Sequence, residues 1–227
     1  MTTIARNTAR ETRIRLACPA DAAAVCAIYA PYVRDTATTF DLEPPTVEEM
    51  EQKITTILEE RPFLVAEIER TDANTASTTS RVETCDDETF AVIGYSYASA
   101  FRPRKAYLHS IETSVYLAPE AKGHGLGTRL YGALEEILRL QNVYNANACV
   151  TYTEPADETC PSTSRIFHER RGYVQCAHIP NCGHKFGRWY DILWLQKQLI
   201  PLSQEPEGFV PLPQVDLSLI HISEPTR

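Results

Sequence analysis

A glycine-rich segment at residues 123–127 is the part of the sequence with the clearest chemical consequence. It reads Gly-His-Gly-Leu-Gly and lies between a strand pattern that ends near Leu117 and a helix pattern with leucines four residues apart. Glycines let the backbone approach an anion closely, and the first turn of a helix offers free amide hydrogens and partial positive charge. The segment therefore predicts a site for a phosphate or pyrophosphate group.

Three kinds of phosphate loop compete for this segment. A Walker loop needs a Gly-Lys-Ser/Thr ending, which the segment lacks. The dinucleotide fingerprint needs a third glycine where this chain has Thr128, and the following βαβ context is missing. A coenzyme A loop of the form Gln/Arg-x-x-Gly-x-Gly/Ala fits Lys122–Gly127, with Lys in place of Gln or Arg. A glycine-rich turn without a ligand stays as a further interpretation.

Glu112 is a candidate general base, because it lies in the middle of an apolar strand pattern. Alternation along the strand places Ile111 and Val115 on one face and Glu112 with Ser114 on the other. Burying an unpaired carboxylate costs free energy, so the Glu112 side chain must face a cleft or be paired. The alternative to a base is a glutamate held in a salt bridge.

His168 and Cys149 are the other candidates for chemistry. An imidazole can give or take a proton near neutral pH, so His168 on a predicted helix is a candidate acid or base, against the alternative of a packing histidine. Cys149 lies in a predicted strand and is interpreted as packing rather than as a nucleophile.

The cysteines do not favour a metal centre. Four possible ligands of two types lie close together at Cys176, His178, Cys182 and His184, but no Cys-x-x-Cys pair occurs and the stretch has turn composition. The seven cysteines are odd in number and scattered, which predicts reduced thiols, no metal and a cytoplasmic protein.

Hydrophobic periodicity predicts the elements that position these residues. The order is β-α-α-β-β-β-α-β-α-β-β, a mixed α/β domain. The predicted strands cover 14–17, 63–67, 90–97, 107–117, 146–152, 173–177 and 189–196, and the predicted helices follow Asp21 and cover 47–60, 125–140 and 162–171.

The remaining segments set the domain limits at 13–200. We expect a disordered N-terminus at 1–12, a polar surface insertion at 70–88 that joins two hairpin strands, and an extended tail at 201–227. Residues 216–227 resemble translated adapter sequence, so they are left out of the fold prediction.

Composition excludes several classes of protein. Hydrophobic residues make up 43% and charged residues 23%, which is ordinary for a globular protein. The net charge of −8 argues against a nucleic-acid partner. No apolar run is long enough to span a bilayer, and the N-terminus lacks the apolar core of a secretory signal.

Motifs along most of the chain resemble the phosphinothricin N-acetyltransferases of the GNAT superfamily. The matching stretches include Thr38-Thr39-Phe40, the run from Phe101 to Tyr107, Glu112-Thr113-Ser114-Val115-Tyr116-Leu117, and His168 with Gly172-Tyr173. The resemblance implies the GNAT fold, a mixed and mostly antiparallel sheet with splayed central strands and flanking helices. It also implies transfer of acetyl from acetyl-CoA to the primary amine of a small amino-acid-like molecule, of the phosphinothricin or methionine sulfoximine type, by direct attack.

The resemblance assigns roles to residues of this chain. Glu112 corresponds to the catalytic carboxylate, and His168 to a residue that protonates the leaving thiolate. Acetyl-CoA is the co-substrate, with backbone amides near Tyr116 or Leu117 facing the oxyanion. The implied substrate contacts are Phe40, Arg104 and Tyr107. The implied coenzyme contacts are Val115, Tyr116, Leu117, Lys122, Gly123, His124, Gly125, Leu126, Gly127 and Thr128.

The sequence departs from the family pattern before the last helix. Residues 154–164 are longer than the family stretch and lack the expected asparagine, which puts the coenzyme contact there in doubt. A homodimer is an expectation from the family alone. Two other functions stay open: acetylation of another small amine or of a peptide N-terminus, and a non-catalytic acyl-CoA-binding module.

Overall fold

The computed structural model describes residues 11–70 and 89–220. Seven strands and four helices follow in the predicted order. The strands are Thr12–Leu16 (β1), Phe63–Glu69 (β2), Phe90–Ala100 (β3), Ser110–Leu117 (β4), Asn145–Tyr152 (β5), Val174–Lys185 (β6) and Arg188–Gln198 (β7). The helices are Ala22–Asp35 (α1), Val47–Leu58 (α2), Leu126–Leu140 (α3) and Thr163–Arg170 (α4). The predicted insertion at 70–88 falls almost wholly outside the described residues, and so do residues 1–10.

The strands form one sheet in the order β1-β2-β3-β4-β5-β7-β6. Every neighbouring pair is antiparallel except β4 and β5, which are parallel. These two central strands pair only from Ser110 with Asn145 to Glu112 with Asn147. Beyond that point each strand continues without the other, so the sheet opens between them. The predicted mixed sheet with splayed central strands is confirmed.

Helices cover both faces of the sheet. On one face, Tyr29 of α1 packs edge-on against Tyr116 of β4, with ring centroids 4.9 Å apart. On the other face, Tyr131 of α3 donates a hydrogen bond to Thr113 of β4. Because successive strand residues point to opposite sides, Glu112 shares the α1 face with Tyr116.

The leucine pattern of α3 builds the core, as its spacing predicts. Leu130, Leu134 and Leu138 are fully buried and Leu126 nearly so. Side chains four residues apart lie on one face of a helix, so this stripe fixes the face that packs on the sheet. The glycine-rich segment before α3 is thereby held at the opening of the sheet.

Two element boundaries differ from the prediction. The strand predicted over 107–117 begins at Ser110, because Lys105–Tyr107 forms a 3₁₀ turn. The strand predicted over 173–177 runs to Lys185, with the ladder interrupted between Ile179 and Gly183. The chain reverses at Phe186 and Gly187, both with positive φ, so residues 180–183 form an irregularity within the strand instead of the turn.

Residues 208–220 of the segment predicted as an extended tail pack on the domain. Leu212 and Ile220 are buried against the main core. Gln141, at the end of α3, donates from Nε2 to the carbonyls of Glu60 and Val210, at 2.7 and 2.9 Å. The sequence pattern missed this packing because the apolar residues are isolated and show no period.

The cysteines are mostly free thiols. Cys26, Cys149, Cys160, Cys176 and Cys182 are unpaired among the described residues. Cys18 is disulfide-bonded, which contradicts the expectation of reduced thiols at that position.

Candidate active site

A groove of about 690 Å³ lies at the opening of the sheet, between the start of α3, α4 and the C-terminal end of α1. It runs between the end of β4, the glycine-rich segment and α4. Among the predicted coenzyme contacts, eight line it: Val115, Leu117, Lys122, Gly123, Gly125, Leu126, Gly127 and Thr128. The sequence did not identify the opposite wall, which includes Tyr32, Thr36, Thr38, Ser164, Phe167 and Arg170.

The glycine-rich segment is shaped to receive an anion. Gly123 and Gly125 have φ of +84° and +75°, a backbone conformation that favours glycine. A Cβ on either residue would meet no described atom within 4 Å, so both face open space. The amides of the first turn of α3 have no partner inside the helix and carry its partial positive charge. These features fit a pyrophosphate.

Two predicted coenzyme contacts lie away from the groove lining. Tyr116 points to the α1 face and packs against Tyr29 and Tyr32, and burial among tyrosines raises its pKa well above the usual value. His124 is exposed at the tip of the glycine-rich segment. The amide of Leu117 faces the Tyr32 hydroxyl at 3.3 Å, and this hydroxyl donates to the Leu117 carbonyl at 2.7 Å.

Glu112 lies where β4 and β5 part. It is half-buried, and no described group is within hydrogen-bond distance of its carboxylate. Burial raises the pKa of Glu112, while the positive charges of Arg102 and Lys53 act in the opposite direction. An unpaired carboxylate with a raised pKa is suited to accept a proton. The alternative of a salt-bridged strand glutamate does not fit this geometry.

Arg102, rather than the predicted Arg104, is the arginine close to Glu112. Its guanidinium donates to the Phe101 carbonyl and lies 5.6 Å from the ring of Trp194, which is on β7. Arg104 is exposed, and its side chain forms no hydrogen bond or ion pair with the described residues. Residues 101–109 are irregular, so no periodicity in the sequence could say which arginine faces the site.

Phe40 and Tyr107 lie in separate groups of aromatic side chains. Tyr107 packs edge-on against Phe101 at 5.9 Å and so joins the group beside Arg102. Phe40 packs against Tyr190 at 6.4 Å and covers Gly183, where a Cβ would lie only 2.3 Å from the Phe40 ring. The three predicted substrate contacts are therefore not brought together around one point.

His168 is not brought together with Glu112. Its side chain is buried, with Nδ1 at 2.8 Å from the Ser164 carbonyl and Nε2 at 2.9 Å from the Tyr131 hydroxyl. Burial lowers the pKa of His168, so the imidazole is neutral at pH 7. The carbonyl can only accept, so the neutral ring carries its hydrogen on Nδ1. The ring lies behind the groove wall that Ser164 and Phe167 form.

Cys149 lies near Glu112 and is exposed instead of packing in the core. Its side chain is exposed, yet the surrounding protein and the Glu112 charge raise its pKa to about 12. Because the thiolate is the reactive form, Cys149 is a poor nucleophile at neutral pH.

Residues 11–70 and 89–220 contain neither a candidate metal centre nor a candidate membrane-spanning helix. No group of three or more His, Cys, Asp or Glu side chains there is arranged to hold a metal ion. No described helix combines the length and the apolar character needed to cross a membrane.

Comparison with known proteins identifies the family. Residues 73–194 match the model of the acetyltransferase (GNAT) domain. The chain is 31% identical to a phosphinothricin N-acetyltransferase of Streptomyces coelicolor over 83% of its own length and 97% of the relative. It is 32% identical to an L-methionine sulfoximine/L-methionine sulfone acetyltransferase of Pseudomonas aeruginosa, over 51% of this chain and 63% of the relative.

A solved structure agrees with these relatives. The crystal structure of a phosphinothricin acetyltransferase from Sinorhizobium meliloti in complex with acetyl-CoA superposes with a TM-score of 0.67 at 29% identity. The match covers 93% of this chain and 99% of that one. The chain thus belongs to the GNAT family and is an acetyl-CoA-dependent N-acetyltransferase similar to the phosphinothricin N-acetyltransferases.

Proposed function

We propose that the protein transfers acetyl from acetyl-CoA to the primary amine of a small amino-acid-like molecule, of the phosphinothricin or methionine sulfoximine type. The observation that carries the proposal is the unpaired Glu112, with its raised pKa, at the point where β4 and β5 part. The groove lined by Val115, Leu117 and the glycine-rich segment lies at this opening. An acetyl donor and an amine can therefore meet there in a ternary complex.

The reaction needs one proton removed before the new bond forms. The amine arrives as an ammonium ion, and Glu112, directly or through water, takes its proton. The nitrogen attacks the thioester carbonyl carbon, and the carbon–sulfur bond breaks as the tetrahedral intermediate collapses. Amides of β4 near Tyr116 and Leu117 would stabilise the oxyanion, with the Leu117 amide exchanging the Tyr32 hydroxyl for it. The amide product then loses a second proton, and the coenzyme A thiolate gains one.

We propose a positioning role for His168 in place of direct proton delivery. Its neutral ring connects α4 to Tyr131, and Tyr131 lies 3.0 Å from the Thr113 hydroxyl, one residue after Glu112. Thr113 in turn donates to the carbonyl of Asn147 on β5. This chain of contacts supports a fixed width of the opening beside Glu112.

The proposed recognition of the substrate depends on positively charged side chains. Phosphinothricin and methionine sulfoximine carry an anionic carboxylate besides the amine, and Arg102 offers a planar fork to such a group. Lys53 adds positive charge on the same face, where it donates to Tyr97 at 3.0 Å. A homodimer belongs to the proposal on family resemblance alone, and a cytoplasmic location on the odd number and scatter of the cysteines.

The test is a coenzyme A release assay over a panel of primary amines. Phosphinothricin, L-methionine sulfoximine, L-methionine sulfone and the common amino acids are offered to the wild type and to Glu112→Gln. We expect turnover with at least one of the three amino-acid analogues and loss of that turnover in the variant. Acetyl-CoA binding with no Glu112-dependent turnover on any amine would instead support the non-catalytic binding module.

A further inference from the structure

The groove at the opening of the sheet is positively charged, although the chain as a whole is acidic. Lys122, Arg170 and Arg171 line it, and none of its described lining residues is Asp or Glu. The whole chain carries a net charge of −8, so three cations without an acid are a local concentration of positive charge. A cleft lined by one sign of charge attracts ligands of the opposite sign, so the groove is suited to a ligand with several negative charges.

Arg171 already has partners within the protein. Its guanidinium donates from Nη1 to the Thr128 carbonyl at 3.0 Å, and Nη2 lies 3.3 Å from the buried carboxylate of Glu135. Thr128 is in the first turn of α3, so these contacts tie the end of α4 to the start of α3. Because Glu135 offsets its charge, Arg171 positions α4 beside the glycine-rich segment and is not the cation that waits for a ligand.

Lys122 and Arg170 are the groove cations whose charge is not offset. Both are exposed, and neither side chain forms a hydrogen bond or an ion pair with a residue that the structure describes. The Lys122 ammonium lies 4.6 Å from the centre of the Tyr32 ring, at the wall that α1 contributes. Arg170 belongs to the wall that α4 contributes. The groove therefore offers two separate positive charges to an anionic ligand.

Arg170 is held next to the glycine-rich segment by its neighbours on α4. Phe167, one turn before Arg170, covers Gly127, where a Cβ would lie 3.4 Å from the Phe167 ring. Arg171, directly after Arg170, is bonded to Thr128. Residues three apart share a helix face, so Arg170 projects from the face that carries Phe167. Arg170 thus borders the amides at the start of α3.

Acetyl-CoA carries a second phosphate position besides its pyrophosphate. The pyrophosphate joins the pantetheine arm to the 5′ carbon of a ribose, and the 3′ carbon of the same ribose carries a phosphate monoester. Such a monoester has a charge of roughly −1.5 to −2 at pH 7. With the pyrophosphate on the glycine-rich segment, the ribose phosphate comes within reach of the side chains that border this segment.

We propose that Arg170 binds the 3′-phosphate of acetyl-CoA and thereby selects the coenzyme over its 3′-dephospho form. A guanidinium presents parallel N–H donors that match two oxygens of one phosphate. Lys122 and the amides of α3 remain for the pyrophosphate. The inference concerns the coenzyme alone, so it holds whichever amine accepts the acetyl group.

The test is a binding cycle with two coenzymes and two proteins. Calorimetry measures the dissociation constants of acetyl-CoA and of acetyl-3′-dephospho-CoA for the full-length wild type and for Arg170→Gln. We expect the wild type to bind the dephospho form about five- to tenfold more weakly, the size of one charge-assisted contact. Arg170→Gln should weaken acetyl-CoA by the same factor and leave the affinity for the dephospho form within about twofold of the wild type.

Arg165→Gln is the matched control. Arg165 is on the same helix, carries the same charge and has a side chain that is 38% exposed, but it does not line the groove and pairs with Glu169 at 2.8 Å. Both variants remove one positive charge from α4, so a loss of general attraction affects both alike. We expect Arg165→Gln to keep the wild-type preference between the coenzymes. Equal midpoints of urea unfolding verify that the three proteins are equally folded.

Each other outcome overturns the proposal. If Arg170→Gln weakens both coenzymes equally, Arg170 contacts the pyrophosphate and not the 3′-phosphate. Equal affinity of the wild type for both coenzymes would mean that the 3′-phosphate makes no contact. An equal loss of preference in the Arg165 and Arg170 variants would reduce the effect to general charge. No amine enters these measurements, so they stand or fall separately from the proposed acceptor and from Glu112.

Discussion

At the scale of single residues, the site depends on one carboxylate and the charges around it. Glu112 is half-buried and unpaired among the described groups, and its pKa reflects burial opposed by Arg102 and Lys53. The sequence placed Glu112 correctly in a central strand, because strand alternation is local information. The sequence could not predict that Arg102 lies close to Glu112, because the position of Arg102 depends on how the irregular segment after β3 folds.

Arg102 should control the pH dependence of the reaction. A base must be deprotonated to act, so kcat/KM falls on the acid side as Glu112 becomes protonated. Removing the positive charge in Arg102→Gln raises the pKa of Glu112 further, so the acid limb should move to higher pH. The measurement is the pH profile of kcat/KM, with Arg104→Gln as the control that leaves the limb in place. A shift in the Arg104 variant and none in the Arg102 variant would contradict the assignment.

His168 should make the folded state sensitive to acid. Burial lowers its pKa in the folded protein below the ordinary 6.5, so the unfolded chain binds the proton more readily. The contribution of neutral His168 to the free energy of unfolding is therefore fully present above about pH 6.5. This contribution is lost as the pH falls from about 6.5 toward the pKa of His168 in the folded protein. Urea unfolding at pH 7.5 and 5.5 should show a smaller loss in His168→Gln than in the wild type. An identical loss in both proteins would speak against a buried neutral imidazole.

At the scale of elements, the parting of β4 and β5 creates the site. Periodicity predicted both strands and the helix that follows the glycine-rich segment, since these patterns are carried by neighbouring residues. It did not reveal that the strands pair for only three positions. Nor did it place α4, whose residues form the far wall of the groove. Pairing and packing between segments that are distant in the sequence cannot be predicted from the spacing of neighbouring residues.

The glycine-rich segment should be intolerant of a side chain at Gly125. Gly125→Ala places a Cβ in the groove at φ +75°, with a strain of about 1–2 kcal/mol. We expect the dissociation constant of acetyl-CoA to rise at least about tenfold, because the methyl group blocks approach to the amides. The control is Gly132→Ala within α3, where a Cβ meets no described atom and helix propensity favours Ala. Calorimetry on both variants is the measurement, and equal affinities would exclude the segment as the anion site.

At the scale of the whole molecule, the last described residues pack against the domain formed by the preceding chain. Residues 208–212 run across the ends of α2 and α3, held by Gln141 and by the Leu212 amide, which donates to the Glu60 carbonyl at 3.0 Å. The sequence suggested an extended tail, because prolines and isolated apolar residues carry no periodic signal. That segments 201–215 belong to the packed domain follows only from tertiary contacts. Whether residues 216–227 are natural stays an open prediction.

Leu212 should therefore matter for stability but not for chemistry. Leu212→Ala removes a buried side chain and should lower the free energy of unfolding by about 2–4 kcal/mol. Leu219→Ala is the control, because that leucine is 70% exposed and its loss should change stability by less than about 0.5 kcal/mol. Urea denaturation measures both, and kcat below the unfolding transition should stay at the wild-type value. Equal stability of the two variants would mean that the tail does not pack.

The most direct test of the account is the pH dependence of Glu112→Gln on its best amine. Without the carboxylate only the free amine reacts, and its fraction rises tenfold per pH unit below the amine pKa. We predict that kcat/KM of the variant lies at least about a hundredfold below the wild type at pH 7 and climbs about tenfold per pH unit. Acetyl-CoA affinity should stay within about threefold of the wild type, since the carboxylate lies outside the anion site. A variant that turns over at the wild-type rate, with the wild-type pH profile, would contradict the role of Glu112 as the base.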